Sequence, residues 1–257
     1  MKKETLKVAG LALEVFEDGR GEPLLFVHSG GGFQPNEPYV ALLAKSRRLV
    51  APSHPGFGHS ELPDWLDTPD DIAYIYLELM DRLGLQKVDL VGSSLGGWIA
   101  AEMASKAPER FRKLVLVAPV GVKTGPVDKL DIPDIYAVPQ ERVSQWLFRD
   151  PAKHTVDTAR LSDDELTVMV RNRETVAMLV WEPWMHNPKL KHRLHRATMP
   201  TLFLRGESDG LVSADYLERY ARLMPHARIE TIANAAHAVQ VEQPEAFAAK
   251  VLGFLDG

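Results

Sequence analysis

The chain has 257 residues, no cysteine and a formal net charge of −5 at pH 7. Its length fits one α/β core that carries an insertion. The absence of cysteine excludes disulfides, thiolate metal sites and a cysteine nucleophile. The acidic balance offers no electrostatic surface for nucleic acid or an anionic membrane. The N-terminus mixes charges of both signs and no apolar run could span a bilayer, so we expect no signal peptide and a cytoplasmic location.

Short apolar runs alternate with helical patterns along most of the chain. A continuous apolar run is typical of a strand buried on both faces of a parallel sheet. The predicted strands are Leu6–Val8, Leu11–Phe16, Leu24–Val27, Leu49–Ala51, Val88–Val91, Leu114–Val117, Thr201–Leu204 and Ile229–Ile232. The predicted helices are Pro38–Ala44, Thr68–Leu83, Trp98–Ala104, Ala214–Leu223 and Glu245–Leu255. This order predicts an α/β fold with a doubly wound, mostly parallel sheet.

The alternation stops between residues 121 and 198, where prolines separate two helical patterns near Gln140–Phe148 and Asp163–Val180. We therefore predict a core of residues 1–120 and 199–257, with a helical cap of residues 121–198. Because such a cap must close over the carboxyl ends of the strands, we expect an apolar pocket beneath it. Its expected lining residues, which core packing would also explain, are Phe33, Trp146, Met178, Trp181, Trp184 and Val239.

A G-x-S-x-G pattern, Gly92 to Gly96, stands between a predicted strand and a predicted helix. A serine in that context sits on a tight turn that exposes its Oγ, and small neighbours let the strand and helix approach. The helix also places N–H groups and a positive dipole end beside the serine. Ser94 is therefore the predicted nucleophile. Ser93 is not, because a motif centred on it would need glycine where Val91 stands.

Nucleophilic serine chemistry also needs a base and a carboxylate that holds the base in one tautomer. Ligand chemistry in an open parallel sheet gathers at the carboxyl ends of its strands. Glu207 and Asp209 follow the strand Thr201–Leu204, and His237 follows the last strand. The order Ser94, Asp209, His237 is the one expected for a nucleophile on such a turn. Glu207 remains an alternative acid because it lies nearer to the strand end.

An oxyanion hole needs two N–H donors aimed at one point. The first predicted donor is the N–H of Leu95, directly after the nucleophile. The second should come from the loop after the third strand, where three consecutive glycines leave their N–H groups unobstructed. Gly30 is favoured, and Gly31 is the alternative. His28, at the start of this loop, is expected to order it by hydrogen bonding.

No metal or organic cofactor is predicted. His192 and His195 lie three residues apart among basic residues, and this spacing could form a metal pair. No nearby acid completes such a site, so a solvated basic face is the favoured interpretation. The expected partner is a small-molecule ester substrate, without nucleic acid or membrane, on a monomer or homodimer.

These motifs resemble those of the α/β-hydrolase superfamily, in its small-cap branch. The residues that carry the resemblance are His28–Gly32, Pro55–Ser60, Gly92–Gly97, Gly206–Asp209, His237 and Glu242–Glu245. The resemblance implies the α/β-hydrolase fold and a hydrolytic enzyme. It does not imply a substrate, because the superfamily hosts esterases, lactonases, C–C hydrolases, dehalogenases and epoxide hydrolases.

Several positions indicate which enzyme classes of this superfamily the sequence resembles less. Dehalogenases and epoxide hydrolases use an aspartate nucleophile, whereas position 94 is serine. The C–C hydrolases of ring-cleavage pathways usually have Asn before the serine and Trp after the histidine, where this chain has Ser93 and Ala238. Ser29 also replaces a common Gly, and Ser53 replaces a usual structural Asp.

The favoured expectation is a carboxylesterase-like serine hydrolase that cleaves small, mainly apolar esters through an acyl-enzyme. One alternative is a C–C bond or lactone hydrolase of aromatic catabolism that uses the same triad. Another, from a different class, is a ligand receptor built on a hydrolase fold, against which the intact set of Ser94, Asp209 and His237 argues.

Overall fold

Eight strands form one sheet in the computed structural model, which describes residues 1–257. The strands are β1 (Lys2–Val8), β2 (Leu11–Asp18), β3 (Glu22–Val27), β4 (Arg47–Pro52), β5 (Val88–Ser93), β6 (Phe111–Val117), β7 (Thr201–Gly206) and β8 (Ala227–Ile232). Their spatial order is β1-β2-β4-β3-β5-β6-β7-β8. β2 pairs antiparallel with β1 and β4, whereas β4 and every strand beyond it in this order run parallel. The predicted mostly parallel α/β sheet is confirmed.

Eight α-helices connect or follow these strands. They are α1 (Pro38–Ala44), α2 (Pro69–Arg82), α3 (Leu95–Lys106), α4 (Gln140–Leu147), α5 (Asp163–Val180), α6 (Ala214–Ala221), α7 (Val239–Glu242) and α8 (Pro244–Asp256). α2 begins at the predicted cap: the Thr68 hydroxyl accepts the Asp71 N–H, and the Asp71 carboxylate accepts the Thr68 N–H. α7 was not predicted, because four residues are too few to show a helical period. None of the helices is both long and apolar enough to cross a membrane.

Helices cover both faces of the sheet because its central strands are apolar on both sides. Neighbouring residues of one strand point to opposite faces. In β3, Leu25 and Val27 pack in the layer of α2, α3 and α6, whereas Leu24 and Phe26 pack in the layer of α1, α7 and α8. Both faces are therefore closed by packing, and the loops at the carboxyl ends of the strands are left to carry functional groups.

The segment between β6 and β7, residues 118–200, contains α4 and α5 and is called the insertion. Its two ends meet in an isolated β-bridge between Gly121 and His186. The Gly121 N–H donates to the Met185 carbonyl, and the Asn187 N–H donates to the Gly121 carbonyl, both at 3.0 Å. The division into a core and a helical cap stays a prediction.

A buried carboxylate anchors these joined ends to α3. Glu102 accepts hydrogen bonds from Asn187 Nδ2 at 2.7 Å and from Trp98 Nε1 at 3.2 Å. Gly121 lies against the Trp98 ring so closely that a Cβ there would be 2.3 Å from Trp98 Cγ. The helix that starts at Ser94 therefore also holds both ends of the insertion.

Candidate active site

Ser94 occupies the tight turn between β5 and α3. Its backbone has φ 53° and ψ −113°, a conformation that a residue with a side chain adopts only when its surroundings enforce it. The Ser94 N–H donates to the Val117 carbonyl at 2.8 Å, and the Trp98 N–H donates to the Ser94 carbonyl at 3.2 Å. These bonds fix the turn to β6 on one side and to α3 on the other.

The two motif glycines make this turn sterically possible. A Cβ at Gly92 would lie 2.3 Å from the Gly96 carbonyl oxygen. A Cβ at Gly96 would lie 2.1 Å from the Val27 carbonyl oxygen, at the end of β3. Only glycine at these positions lets α3 start directly against β5 and against the loop that follows β3.

Ser94, His237 and Asp209 form one hydrogen-bonded chain. Ser94 Oγ lies 2.9 Å from His237 Nε2, and His237 Nδ1 lies 3.1 Å from Asp209 Oδ2 and 3.2 Å from Asp209 Oδ1. With its proton on Nδ1, His237 donates to the Asp209 carboxylate and accepts from the Ser94 hydroxyl. This arrangement can take a proton from Ser94 and stabilise the resulting imidazolium. The structure thus brings the three predicted residues together.

The Asp209 carboxylate is buried and well satisfied. Its Oδ1 accepts the N–H groups of Leu211 at 2.9 Å and Val212 at 2.8 Å, which offsets the desolvation of the charge. The alternative acid, Glu207, is exposed, and its carboxylate accepts the Asn234 N–H at 3.4 Å. The structure therefore places Asp209, and not Glu207, against the imidazole.

A second carboxylate holds the loop that carries His237. Glu242 Oε2 accepts the Ala236 N–H at 2.6 Å, and Glu242 Oε1 accepts the Arg149 N–H of the insertion at 2.8 Å. The Ala238 N–H donates to the Leu147 carbonyl at 2.9 Å. The sequence analysis named Glu242 among the residues that carry the family resemblance, but it predicted no role for this side chain. Its place five residues after the histidine was the available signal for this positioning contact.

The loop after β3 presents the predicted oxyanion donors. The Gly32 N–H donates to the Ser29 carbonyl at 3.1 Å, and Gly32 has a φ of +91° that favours glycine. The N–H groups of Gly30 and Gly31 have no acceptor within the protein. Leu95 is the first residue of α3, so its N–H has no acceptor one turn back in the helix. All three groups remain available to a bound oxygen atom.

His28 holds this loop from within the core. Its Nδ1 lies 2.7 Å from the Ser29 carbonyl oxygen, and its Nε2 accepts the His54 N–H at 3.0 Å. Burial lowers the pKa of His28 to about 4, although the bond to Ser29 and the charge of Glu14 favour protonation. His28 is therefore neutral near pH 7 and acts on the loop, as the sequence indicated.

The carboxylate missing at position 53 is supplied from β2. Ser53 Oγ donates to Glu14 Oε2 at 2.7 Å, and the Ser53 N–H donates to the Glu14 carbonyl at 2.8 Å. The Glu14 N–H in turn donates to Ser60 Oγ at 3.0 Å. Glu14 is buried and forms an ion pair with Lys3. Sequence reasoning missed Glu14, because nothing along the chain shows that β2 passes beside residue 53.

α5 touches the same loops through polar side chains. Asn172 Oδ1 accepts the Gly58 N–H at 3.0 Å, and Asn172 Nδ2 donates to the Gly31 carbonyl at 3.4 Å. Thr175 Oγ1 donates to the Gly56 carbonyl at 3.0 Å. Sequence reasoning missed both residues, because polar side chains on a helix normally indicate its solvent face. The available signal was their helical spacing: together with the buried Val176 and Leu179, they lie three or four residues apart and so share one face of the helix.

Two of the six predicted pocket residues, Trp146 and Trp184, form hydrogen bonds with neighbouring loops. Trp146 contacts the loop of the acid, because the Gly210 N–H donates to its carbonyl at 3.2 Å. Trp184 donates from Nε1 to the Ile132 carbonyl at 3.0 Å. Trp184 also lines a cavity of about 150 Å³ with Ile132 and Met185. None of Ser94, Asp209 and His237 lines that cavity.

The other four predicted pocket residues are either buried in the core or partly exposed, and their place in a substrate pocket stays a prediction. Phe33 packs against Phe16 and Phe26, with ring centroids 5.2 and 6.2 Å apart, and Val239 is fully buried in the same layer. Met178 is 40% exposed and Trp181 is 62% exposed. The buried stripe of α5 runs through Asn172, Thr175, Val176 and Leu179. That stripe turns Met178 outward.

The two histidines considered for a metal pair are surface residues. His192 and His195 are both exposed and lie on two short 3-10 turns. No group of three or more His, Asp or Glu side chains is close enough to hold a metal ion.

The family model described as "Alpha/beta hydrolase family" matches residues 24–250, which include the Ser94 turn, Asp209 and His237. The chain belongs to this family. The family and its named hydrolase relatives make the protein a serine-type hydrolase. The resemblance inferred from the motifs is therefore confirmed.

One curated relative and two solved structures describe the similarity. The chain is 27% identical to a 2-hydroxymuconate semialdehyde hydrolase from Pseudomonas putida, over 96% of this chain and 92% of the relative. It superposes on a bacterial membrane phospholipase A with a TM-score of 0.81 and 23% identity, covering 100% of this chain and 86% of that one. It superposes on a meta-cleavage product hydrolase from Pseudomonas fluorescens IP01 with a TM-score of 0.79 and 20% identity, covering 98% and 97%. The two structural matches show the shared fold.

Proposed function

We propose that this hydrolase cleaves the carbon–carbon bond next to a carbonyl group in a product of aromatic ring cleavage. The observation that carries the hydrolytic chemistry is the hydrogen-bonded chain from Ser94 through His237 to Asp209. The similarity to a 2-hydroxymuconate semialdehyde hydrolase over nearly the whole chain supports the substrate class. A ring-cleavage product of this kind is a 2-hydroxydienoic acid, which tautomerises to a 2-oxo acid when the hydroxyl proton moves to the carbon next to the carbonyl group. That carbon is then saturated, and the negative charge left on it by bond cleavage is delocalised onto the 2-oxo group.

In the proposed mechanism, Ser94 Oγ attacks the carbonyl carbon while His237 Nε2 takes the hydroxyl proton. Asp209 stabilises the imidazolium. The N–H groups of Leu95 and Gly30 bind the oxyanion, and each donor contributes roughly 3–4 kcal/mol in comparable enzymes. The bond to the departing carbon then breaks, its electron pair is delocalised onto the 2-oxo group of the tautomerised substrate, and the imidazolium proton is transferred to the resulting dienolate. Water, activated by His237, releases the acyl group from Ser94.

Ester hydrolysis is the second candidate. It is favoured by Ser93 and Ala238, which stand where ring-cleavage C–C hydrolases usually carry Asn and Trp. An ester needs no delocalised carbanion, because His237 protonates an alkoxide leaving group directly. The same three residues would perform both reactions, so the two candidates differ in substrate and not in the nucleophile.

The deciding experiment compares turnover of 2-hydroxymuconate semialdehyde with turnover of p-nitrophenyl acetate, butyrate and octanoate. We expect a higher kcat/KM for the dienoic acid. Faster turnover of the esters, without turnover of the dienoic acid, would replace the first candidate by the second. Turnover of neither, in a protein with its native fold, would contradict both and favour a ligand receptor.

The proposed nucleophile is tested by comparing the kcat values of alanine variants at Ser94 and at its neighbour Ser93. Ser94→Ala should lower kcat on the order of 10⁶-fold, as loss of a triad serine does elsewhere. Ser93→Ala is the matched control, because Ser93 is buried next to the nucleophile and its Oγ contacts only Gln240, at 3.5 Å. Equal activity of the Ser94→Ala and native proteins would contradict the mechanism.

A further inference from the structure

The orientation of one peptide group decides whether Gly30 can bind an oxyanion, and this role of Gly30 rests on the proposed function. In a trans peptide the C=O and N–H point in opposite directions. The Ser29–Gly30 peptide is trans, so the direction of the Ser29 carbonyl sets the direction of the Gly30 N–H. The Ser29 carbonyl accepts two hydrogen bonds, from His28 Nδ1 at 2.7 Å and from the Gly32 N–H at 3.1 Å.

His28 can donate to Ser29 only in one tautomer. The backbone N–H of His54 donates to His28 Nε2 at 3.0 Å, so this nitrogen must carry a lone pair. The single proton of the neutral ring is then on Nδ1, where it meets the Ser29 carbonyl. The two imidazole rings are stacked, with centroids 3.6 Å apart and planes 23° apart, which fixes the position of the His28 ring as well.

His54 is held in one tautomer by a tyrosine of α2. His54 Nε2 lies 2.8 Å from the His28 carbonyl oxygen and can only donate there. His54 Nδ1 must therefore accept, and the Tyr76 hydroxyl lies 2.5 Å from it as the donor. Burial raises the pKa of Tyr76 well above its usual value, so the phenol keeps its proton. Tyr76 and His54 are fully buried, and His28 is 1% exposed.

We propose that Tyr76 and His54 are positioning residues for the oxyanion hole, acting through His28 on the Ser29–Gly30 peptide. Every bond in this series has one possible donor: Tyr76 O–H to His54 Nδ1, His54 Nε2 to the His28 carbonyl, and His28 Nδ1 to the Ser29 carbonyl. Loss of the first donor leaves the buried His54 Nδ1 without a partner, and the imidazole ring then shifts to satisfy it. That change weakens the bond between His54 and the His28 carbonyl and lets the loop rotate away from Ser94.

The test uses Tyr76→Phe, which keeps the aromatic ring and removes only the hydroxyl. Tyr220→Phe is the matched control, because Tyr220 is also a fully buried tyrosine and its hydroxyl has no hydrogen-bond partner. The probe is diethyl p-nitrophenyl phosphate. Ser94 Oγ forms a bond to its phosphorus, the bond to p-nitrophenolate breaks, and the serine proton passes to His237. The phosphoryl oxygen occupies the oxyanion hole during this step, so the maximal rate of p-nitrophenolate release reports on the hole.

We expect Tyr76→Phe to lower the maximal phosphorylation rate roughly 10-fold to 100-fold, which is less than or equal to the loss of one whole oxyanion donor. The half-saturating probe concentration should stay within about twofold, because ground-state binding does not use the oxyanion donors. Tyr220→Phe should change neither quantity. An unchanged rate in Tyr76→Phe, or equal effects in Tyr76→Phe and Tyr220→Phe, would overturn the proposal.

A second measurement needs no variant at the tyrosine. Nitrogen NMR of the native protein with ¹⁵N-labelled histidine should show His28 protonated on Nδ1 and His54 protonated on Nε2. The opposite tautomer at either ring would overturn the proposal even if Tyr76→Phe failed to fold. Rapid p-nitrophenolate release by Ser94→Ala would instead overturn the proposed function, because it would remove the nucleophile and leave the histidine tautomers untouched.

Discussion

Backbone hydrogen bonds join the turns that carry Ser94 and Asp209 to neighbouring strands and loops, whereas side chains hold α5 of the insertion against the core. The Ser94 N–H donates to the Val117 carbonyl at 2.8 Å, and the Ser208 N–H, next to Asp209, donates to the Ala235 carbonyl at 2.9 Å. In α5, by contrast, Arg171 donates through its guanidinium to the carbonyls of Gly58 at 3.0 Å and Ser60 at 2.5 Å.

Backbone hydrogen bonds can be formed by almost any residue, whereas the side-chain hydrogen bonds of α5 require particular residues. Any non-proline residue supplies a backbone N–H and C=O, so these two turns can form the same bonds with many side chains at their positions. The contacts of α5 depend on the identity of each side chain. The backbone contacts at the strand ends therefore tolerate changes of sequence. The docking of α5 is lost when its polar side chains are replaced.

The largest expected effect falls on the acid of the strand-end loops. Asp209→Asn should lower kcat by about 10⁴-fold, because an amide no longer holds His237 in the productive tautomer. Glu207→Gln, two residues earlier in the same loop, is the matched control and should stay within about threefold. Steady-state kinetics of both variants checks this. The reverse ranking would mean that Glu207 moves to the imidazole in solution.

The next effect concerns stability at low pH. His28 has a pKa near 6.5 in the unfolded chain and about 4 in the folded protein, where burial disfavours its charge. Between these values the unfolded chain binds a proton that the folded protein does not. The free energy of unfolding should therefore fall as pH decreases from 6.5 to 4, by on the order of 3 kcal/mol. Urea unfolding at successive pH values measures it.

Two other buried groups, His54 and Glu102, also affect how the free energy of unfolding depends on pH. Burial also lowers the pKa of His54, which adds to the loss of stability in acid. Burial raises the pKa of Glu102 and so favours the folded state in acid. Removal of this opposing group by Glu102→Gln should make the decline steeper. A free energy of unfolding that stays constant between pH 7 and 5 in both proteins would contradict the neutral state of His28.

A smaller effect is expected where α5 docks on the core. Asn172→Ala leaves the Gly58 N–H without its acceptor, so the free energy of unfolding should fall by about 1–3 kcal/mol. Glu174→Ala is the control on the exposed side of the same helix and should change stability by less than about 0.5 kcal/mol. Equal destabilisation by the two variants would show that side-chain docking does not hold α5.

The smallest effect separates two tryptophans of the insertion. Trp181→Ala should leave KM and stability nearly unchanged, within about 0.5 kcal/mol, because this side chain is 62% exposed. Trp146→Ala should raise KM severalfold, because Trp146 packs on the loop of Asp209. KM values for the same substrate decide between them. A larger effect on KM at Trp181 would support its predicted place in the pocket.

The sheet and the order of the active-site residues could be predicted because each depends on a local pattern. Continuous apolar runs indicated the buried strands, and the glycines around Ser94 indicated a turn that only small residues allow. Asp209 and His237 then followed from their places after strands. The α4 and α5 segments were also predicted nearly to their ends.

The remaining features depend on contacts between distant segments. Glu14 meets Ser53 across two strands, and Tyr76 meets His54 across 22 residues. No periodicity encodes either pair. The pocket prediction relied on residue type alone, and it stays a prediction for Met178 and Trp181, which are 40% and 62% exposed. The buried face of α5 is instead defined partly by the polar residues Asn172 and Thr175, which find backbone partners in the core.

The bridge between Gly121 and His186 has a consequence for how this enzyme could diversify. Because the chain leaves and re-enters the fold at one point, 64 intervening residues impose no spacing requirement on β6 and β7. A shorter or longer segment could be grafted between the same two residues without stretching the sheet. Exchange of that stretch would leave the strands that precede Ser94, Asp209 and His237 in place, whereas the contacts of Trp146 and Leu147 with the loops of Asp209 and His237 would have to form anew.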